Sequence, residues 1–151
     1  MDWTTLLVAV AGLLATLAAP PIQTWLAARN ERTAWRRDAQ VAVYADALSY
    51  VEVLSVSVER LTDLYRDIRW TRPQVPHRDL ITSRMRLLAP RDTFDKWKTL
   101  ITQEDIFDFN VNENYSDDPR WALPDDDADL VKLRSAITDV NEAIYRSFWK
   151  D

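Results

Sequence analysis

Apolar residues recur mostly at steps of three or four along three stretches of the chain, which is the spacing of one face of an α-helix. The first stretch has its apolar positions at Val41, Tyr44, Leu48, Val51, Leu54, Val58, Leu61, Tyr65 and Ile68. The second has them at Leu80, Ile81, Met85, Leu87, Leu88, Phe94, Trp97, Leu100 and Ile101. The third has them at Leu130, Leu133, Ile137, Val140, Ile144 and Phe148. The pattern therefore predicts amphipathic helices that bury their apolar faces against one another.

Prolines and capping residues indicate where these helices begin and end. The first helix is expected to run to Arg69, ahead of a proline-containing loop at 71–76. The next covers about 77–89, and Asp92 or Thr93 is expected to cap the helix that follows it. Two consecutive helical pieces are thus predicted in the middle of the chain.

The region from about 108 to 124 loses the helical periodicity, and Asn, Asp, Ser and Pro dominate it. Loops of this length are often functional or disordered. Three aspartates at 125–127 then precede the last amphipathic stretch, where their charge complements the helix dipole. We therefore predict a long acidic loop followed by a terminal helix.

The segment from Trp3 to about Leu26 is apolar enough to form a membrane anchor. It contains no charged side chain, and its length matches the roughly 20 residues that a helix needs to cross the hydrocarbon core. In a helix, Trp3 and Trp25 would lie roughly 33 Å apart, close to the separation of the two membrane interfaces. We therefore divide the chain into an anchor at 1–28 and a soluble helical bundle domain at 29–151.

The residues that flank the apolar run favour an uncleaved anchor over two rivals, a cleaved signal peptide and a helix lying on the membrane surface. Asp2 leaves no positive n-region before the run. After it come Arg29, Arg32, Arg36 and Arg37, and a positive cluster marks the cytoplasmic side. The predicted location is the cell membrane, with a single span and a cytoplasmic C-terminal domain. The predicted fold is all-α, a transmembrane helix followed by a small antiparallel bundle of about three to four helices.

Composition excludes several kinds of chemistry. The 151 residues contain no cysteine and one glycine, Gly12, which lies inside the apolar run. Disulfides, cysteine zinc sites and Gly-rich phosphate loops are therefore excluded. The net charge is −5, and its acidic part is concentrated between Glu104 and Asp129, which argues against nucleic-acid binding. No catalytic residue, metal site or cofactor is predicted.

Candidate binding residues fall into two groups. The predicted membrane-interface residues are Trp3, Trp25, Arg29, Arg32, Arg36 and Arg37, of which the arginines either set topology or also bind anionic headgroups. Trp121 and Tyr115, in the acidic loop, are the candidates for contact with a protein partner. The loop lacks the glycine and terminal glutamate of a calcium-binding hand, so its aspartates are read as capping and solvating groups.

Several features together resemble a known class of protein. They are Arg84, the run from Arg86 to Pro90, the helix with Phe94 and Trp97, and the terminal helix that closes on Ile144 and Phe148. With the anchor and its following arginines, the chain resembles the small, single-span, helical hypothetical proteins of actinobacterial genomes. The resemblance implies the fold and no activity.

The sequence supports three hypotheses of function. The first is a non-enzymatic, membrane-tethered interaction or scaffold module with an unknown protein partner. Such a module would contact the lipid bilayer and form a homo-oligomer through the anchor or the first long helix, because Ala11, Ala15 and Ala19 allow close helix approach. The second is an oligomerising protein that perturbs the bilayer. The third and last-ranked is an enzyme that uses carboxylates such as Asp105, Asp108 or Glu113.

Overall fold

The structure, a computed structural model, describes residues 3–62, 70, 72–74, 77–115 and 123–148, with side chains described from residue 27 onward and not at 114 and 115. These residues form four α-helices and no strand. They are α1 (Trp3–Leu61), α2 (Arg78–Leu88), α3 (Arg91–Tyr115) and α4 (Ala128–Phe148). The predicted all-α fold, with a long N-terminal apolar helix followed by a small bundle, is confirmed.

The chain divides into two compact units, Met1–Ala39 and Gln40–Asp151. In the first unit, every residue from Ala27 to Asp38 is exposed. In the predicted anchor at 1–28, the backbone is helical from Trp3 onward, and the side chains of residues 1–26 lie outside the described residues.

Within the described part of α1, one stretch is long and apolar enough to cross a membrane. It is Ala27–Leu61, in which an 18-residue window has a mean hydropathy of 1.5 and is 39% buried inside the protein. Core helices of soluble bundles show the same combination, and the buried residues Val43, Tyr44, Ala47 and Tyr50 lie in this stretch. The bundle thus accounts for part of the apolar character of α1 after residue 40.

Contacts within the second unit define how its helices run. The ring of Tyr44 packs edge-on against Phe148 at 5.4 Å, and the amide of Leu123 donates to the carbonyl of Leu61 at 3.1 Å. The beginning of this part of α1 therefore lies at the end of α4, and its end lies near the start of α4. The two helices are antiparallel.

Helix α3 also runs antiparallel to α4. At one end the hydroxyls of Thr93 and Ser147 are 2.9 Å apart. At the other end Asn110 Nδ2 donates to Asp129 Oδ2 at 2.6 Å. The predicted antiparallel arrangement therefore holds for α1 with α4 and for α3 with α4. The short helix α2 packs on α3.

One hydrophobic core joins the four helices and two residues of the connectors. Its largest fully buried members include Trp97, Tyr44, Tyr50, Phe107, Leu54, Ile81, Met85, Leu100, Leu130, Leu133 and Ile144. At about 25 cal/mol for each Å² of apolar surface removed from water, such aromatic and aliphatic side chains supply the main stabilisation of the bundle.

The buried face of α1 is broader than the predicted stripe. Val43, Ala47 and Tyr50 are buried although the stripe omits them, whereas Val41, which it includes, is 49% exposed. Leu48 is half-buried. At 3.6 residues per turn, Val41 and Leu48 project at the edge of the buried arc of α1. The arc is broad because α1 packs against partners on more than one side.

The structure corrects two predicted boundaries. The loop predicted from residue 108 is wrong for 108–115, because α3 continues to Tyr115 and buries Val111, which is 7% exposed. The helix also begins at Arg91, so that Asp92 and Thr93, one of which was expected to cap it, both lie within its first turn. Residues 116–122 and the predicted end of α1 at 63–69 lie outside the described residues.

Two other boundaries follow the predicted chemistry. Helix α2 stops before Pro90, which lacks the backbone donor that would continue it. The Asp127 carboxylate accepts hydrogen bonds from the amides of Asp129 and Leu130, each at 3.0 Å. This is the N-cap geometry that satisfies the free amides of a first helical turn.

Candidate functional site

Seven charged and aromatic side chains from separate parts of the bundle meet beside the hydrophobic core. We call them the charged cluster: Tyr50, Trp70, Arg72, Arg78, Glu104, Asp105 and Asp108. Tyr50 comes from α1, Trp70 and Arg72 from the connector, Arg78 from α2 and the three carboxylates from α3. The site therefore joins three helices and the segment between the first two.

Glu104 is the centre of the charged cluster and is fully buried. The hydroxyl of Tyr50 donates a hydrogen bond to its Oε1 at 2.6 Å. Arg72 Nε lies 3.4 Å from Oε1, and Arg78 Nη1 lies 3.5 Å from Oε2. A buried carboxylate is stable only when such partners replace the water that it has lost.

The two arginines also bind two carboxylates that follow Glu104 on α3, those of Asp105 and Asp108. Arg72 Nη2 donates to Asp105 Oδ1 at 2.8 Å and to Asp108 Oδ2 at 3.0 Å. Arg78 Nη1 donates to Asp105 Oδ1 at 2.7 Å. Asp105 thus bridges both guanidinium groups at the solvent side of Glu104.

Aromatic rings enclose the charged cluster on the core side. Trp70 Nε1 donates to Asp108 Oδ1 at 2.6 Å, and the indole packs edge-on against Phe107 at 5.1 Å. Tyr50 packs edge-on against Trp97 at 5.8 Å. Trp70 and Tyr50 thus contribute apolar area while their polar atoms donate hydrogen bonds.

Helix geometry explains why α3 can present three carboxylates together. Positions 104 and 108 are one turn apart on the same face, and Asp105 lies beside them. Glu104 also occupies the buried row made by Trp97, Leu100, Phe107 and Val111, whose steps are three or four. A carboxylate in an otherwise apolar row was the signal in the sequence for a buried ionic contact.

Burial has the largest effect on the pKa of Glu104. It raises the pKa of the Glu104 carboxyl above its ordinary value, and the hydrogen bond from Tyr50 and the charges of Arg78 and Arg72 offset only part of the effect. For Arg78, burial acts against the charge, but the hydrogen bond to Asp105 and the carboxylate of Glu104 raise its pKa.

The ionic contacts to Glu104 are incompletely hydrogen-bonded. Among the described residues, neither Arg72 Nε nor Glu104 Oε2 has a hydrogen-bond partner, although both atoms are buried. The arginines nevertheless occupy the positions that a cation would take, and the described side chains include no group of three or more His, Asp or Glu that would hold a metal ion. The chemistry of the charged cluster is electrostatic attachment of the connector and α2 to α3.

The sequence named Asp105 and Asp108 as candidate carboxylates, and the structure brings these two together. Glu113 is exposed and lies outside the charged cluster. The sequence did not identify the roles of Tyr50, Trp70, Arg72 and Arg78, which depend on contacts between distant parts of the chain.

The predicted membrane-interface and partner residues are only partly described. Arg29, Arg32, Arg36 and Arg37 are all exposed in the first unit. The side chains of four others lie outside the described residues: Trp3, Trp25, Tyr115 and Trp121. Tyr115, predicted in a loop, is the last residue of α3.

A groove of about 360 Å³ lies apart from the charged cluster, between α1 and α4. Leu48, Val51 and Val56 of α1 and Tyr145 of α4 line it, with the polar Glu52 and Asn141 beside them. Val56 is 43% and Tyr145 58% exposed.

No protein-family model, no curated protein and no solved structure matches the chain.

Proposed function

We propose that the protein is a non-enzymatic, membrane-tethered interaction module, in which the N-terminal segment holds a helical bundle at the cytoplasmic face of the membrane. Its function is to present the surface of the bundle to a partner that is itself associated with the membrane.

The observation that carries the tether is the contrast between neighbouring segments. Residues 3–26 contain no charge, residues 27–38 are uniformly exposed and carry four arginines, and the described core begins only at Val43. An uncharged run followed by exposed arginines is typical of a span and its cytoplasmic flank.

The interaction role rests on the groove between α1 and α4. Val56 and Tyr145 expose apolar surface there, beside the polar side chains of Glu52 and Asn141. Concave apolar surfaces with an aromatic residue at the rim are common at protein contacts. The charged cluster supports a structural role, since its carboxylates and guanidinium groups are bound to one another.

Carbonate extraction of membranes from cells that make the full-length protein tests the tether. We expect the protein in the membrane pellet, with its N-terminus uncleaved and its bundle protected from protease outside the cell. A protein released by carbonate, or one lacking its first segment, would overturn the tether.

The groove is tested separately by quantitative capture of proteins crosslinked to the full-length chain in its membrane. Val56→Asp should remove the specific partners, whereas Val131→Asp, at a 50% exposed position of α4 outside the lining of the groove, should retain them. Equal capture by both variants would refute the role of the groove. Release of dye from vesicles by the wild-type protein would instead favour a protein that perturbs the bilayer.

A further inference from the structure

Three of the four arginines of the first unit lie on one side of α1. At 3.6 residues per turn, Arg29, Arg32 and Arg36 project within about 60° of one another. The two acidic residues of the segment, Glu31 and Asp38, project roughly 140–160° away from Arg36. The net charge of the segment therefore understates how positive this face is.

The same face is concave in the structure. Ala28, Arg29, Arg32, Thr33 and Arg36 line an open concavity of about 340 Å³. All five residues are exposed. The arginines therefore border a space that is open to solvent and that a phosphate-bearing group can enter.

Guanidinium groups match phosphate well because their planar N–H donors bind two oxygens at once. We propose that this arginine face binds the phosphate of anionic phospholipid headgroups, an inference that rests on the proposed membrane tether. The uncharged run ends at Ala28, immediately before Arg29. In a tethered chain the face therefore begins at the edge of the hydrocarbon and extends about 12 Å to Arg36, whose long side chain can reach back to the headgroups.

A further observation favours lipid over other phosphate sources. Trp35, which lies between the arginines in sequence, is 69% exposed, and tryptophan prefers the membrane interface.

The test uses full-length protein reconstituted into vesicles of phosphatidylcholine mixed equally with phosphatidylglycerol. After extraction with mild detergent, mass spectrometry measures the ratio of the two lipids that remain bound. The double variant Arg32→Gln with Arg36→Gln removes two charges from the face. Arg60→Gln with Arg86→Gln is the matched control, because both are exposed arginines outside the first unit.

We expect the wild-type protein and the control to retain more phosphatidylglycerol than phosphatidylcholine. The test variant should lose this preference by about fivefold for each arginine removed. Equal retention of both lipids by wild-type protein, or an equal loss in the control, would overturn the inference.

Two additional readouts separate the possible failures. If inorganic phosphate displaces the bound phosphatidylglycerol at the concentration at which it competes for free arginine, the face is a soluble-anion site and the lipid assignment is wrong. If the protein resists carbonate extraction but shows no lipid preference, only this inference fails. If carbonate releases it, the proposed function fails and the inference fails with it.

Discussion

At position 104, a carboxylate occupies a place in a helical row whose other members are apolar. The group is fully buried, accepts a hydrogen bond from the hydroxyl of Tyr50 at 2.6 Å and faces Arg72 and Arg78. Replacing such a contact as a whole is often tolerated, whereas removing one partner leaves a buried charge or donor unpaired. Stability should therefore depend on the members of the charged cluster jointly.

Tyr50→Phe tests this dependence. Loss of the hydrogen bond to Glu104 should lower the free energy of unfolding by about 1.5–3 kcal/mol, because the acceptor is charged and buried. Chemical unfolding of the bundle measures it. Tyr145→Phe, at a 58% exposed ring, should change stability by less than about 0.5 kcal/mol.

Combining Tyr50→Phe with Glu104→Gln completes a double-mutant cycle. The two residues touch, so the cost of the double variant should be smaller than the sum of the single costs, by about 0.5–3 kcal/mol. Additive costs would show that the hydroxyl and the carboxylate stabilise the bundle independently.

The raised pKa of Glu104 predicts a pH dependence with a definite sign. Above the ordinary value of 4.5, the folded protein holds this proton more tightly than the unfolded chain. The stability contributed by Glu104 is therefore present below that pH and is lost as the pH rises towards the folded pKa. Glu104→Gln lacks this titration.

Unfolding measured at several pH values between about 4 and 8 checks the prediction. The difference in unfolding free energy between Glu104→Gln and wild type should shift in favour of the variant as the pH rises. A constant difference, or one that moves the other way, would mean that the arginines outweigh burial and hold the pKa at or below its ordinary value.

At the scale of elements, the helices were predictable where the apolar spacing is regular. The bounds of α2 and α4 follow from Pro90 and the aspartates at 125–127. The C-terminal part of α3 was missed because Asp and Asn dominate its composition, although Phe107 and Val111 continue the spacing of Trp97 and Leu100. Glu104, the charged residue in that row, interrupts the apolar pattern in the sequence, although the structure buries the whole row.

Val111→Ala tests the end of α3. The side chain is 7% exposed, so its truncation should cost about 2 kcal/mol of unfolding free energy. Glu113→Ala, two residues on and exposed, should have an effect below about 0.5 kcal/mol. Comparable small effects at both positions would indicate that this turn does not pack in solution.

The start of α4 gives a second prediction for an element. Asp127 accepts two amide hydrogen bonds, so Asp127→Ala should destabilise the bundle by about 1 kcal/mol. Asp126→Ala is the matched control, because Asp126 lies exposed in the preceding turn. Thermal unfolding of the two variants distinguishes the capping residue from its neighbour, which the sequence could not do.

At the scale of the whole molecule, every buried side chain that the structure describes lies between Val43 and Ile144. The compact second unit, Gln40–Asp151, contains all of them. A fragment comprising residues 40–151 should therefore fold to a helical, cooperatively unfolding domain, as seen by circular dichroism. A fragment without a cooperative transition would show that residues before 40 contribute to the stability of the bundle.

The charged cluster belongs to this largest scale, which explains why sequence reasoning did not assemble it. Tyr50 and Glu104 are 54 positions apart, and Trp70 and Asp108 are 38 apart. Periodicity assigns residues to faces of single helices, but it does not state which faces meet. The carboxylates were visible as an acidic stretch, and only the packing of α1, α2 and α3 pairs them with arginines.

The unequal burial of two tryptophans gives the protein built-in optical reporters. Trp97 is fully buried and donates from its indole nitrogen to Thr82 at 2.9 Å, whereas Trp35 in the first unit is 69% exposed. A dissolved quencher such as iodide should extinguish the emission of Trp35 and leave that of Trp97 untouched until the bundle unfolds. Variants that keep one of these two tryptophans would allow each unit to be followed by its own fluorescence.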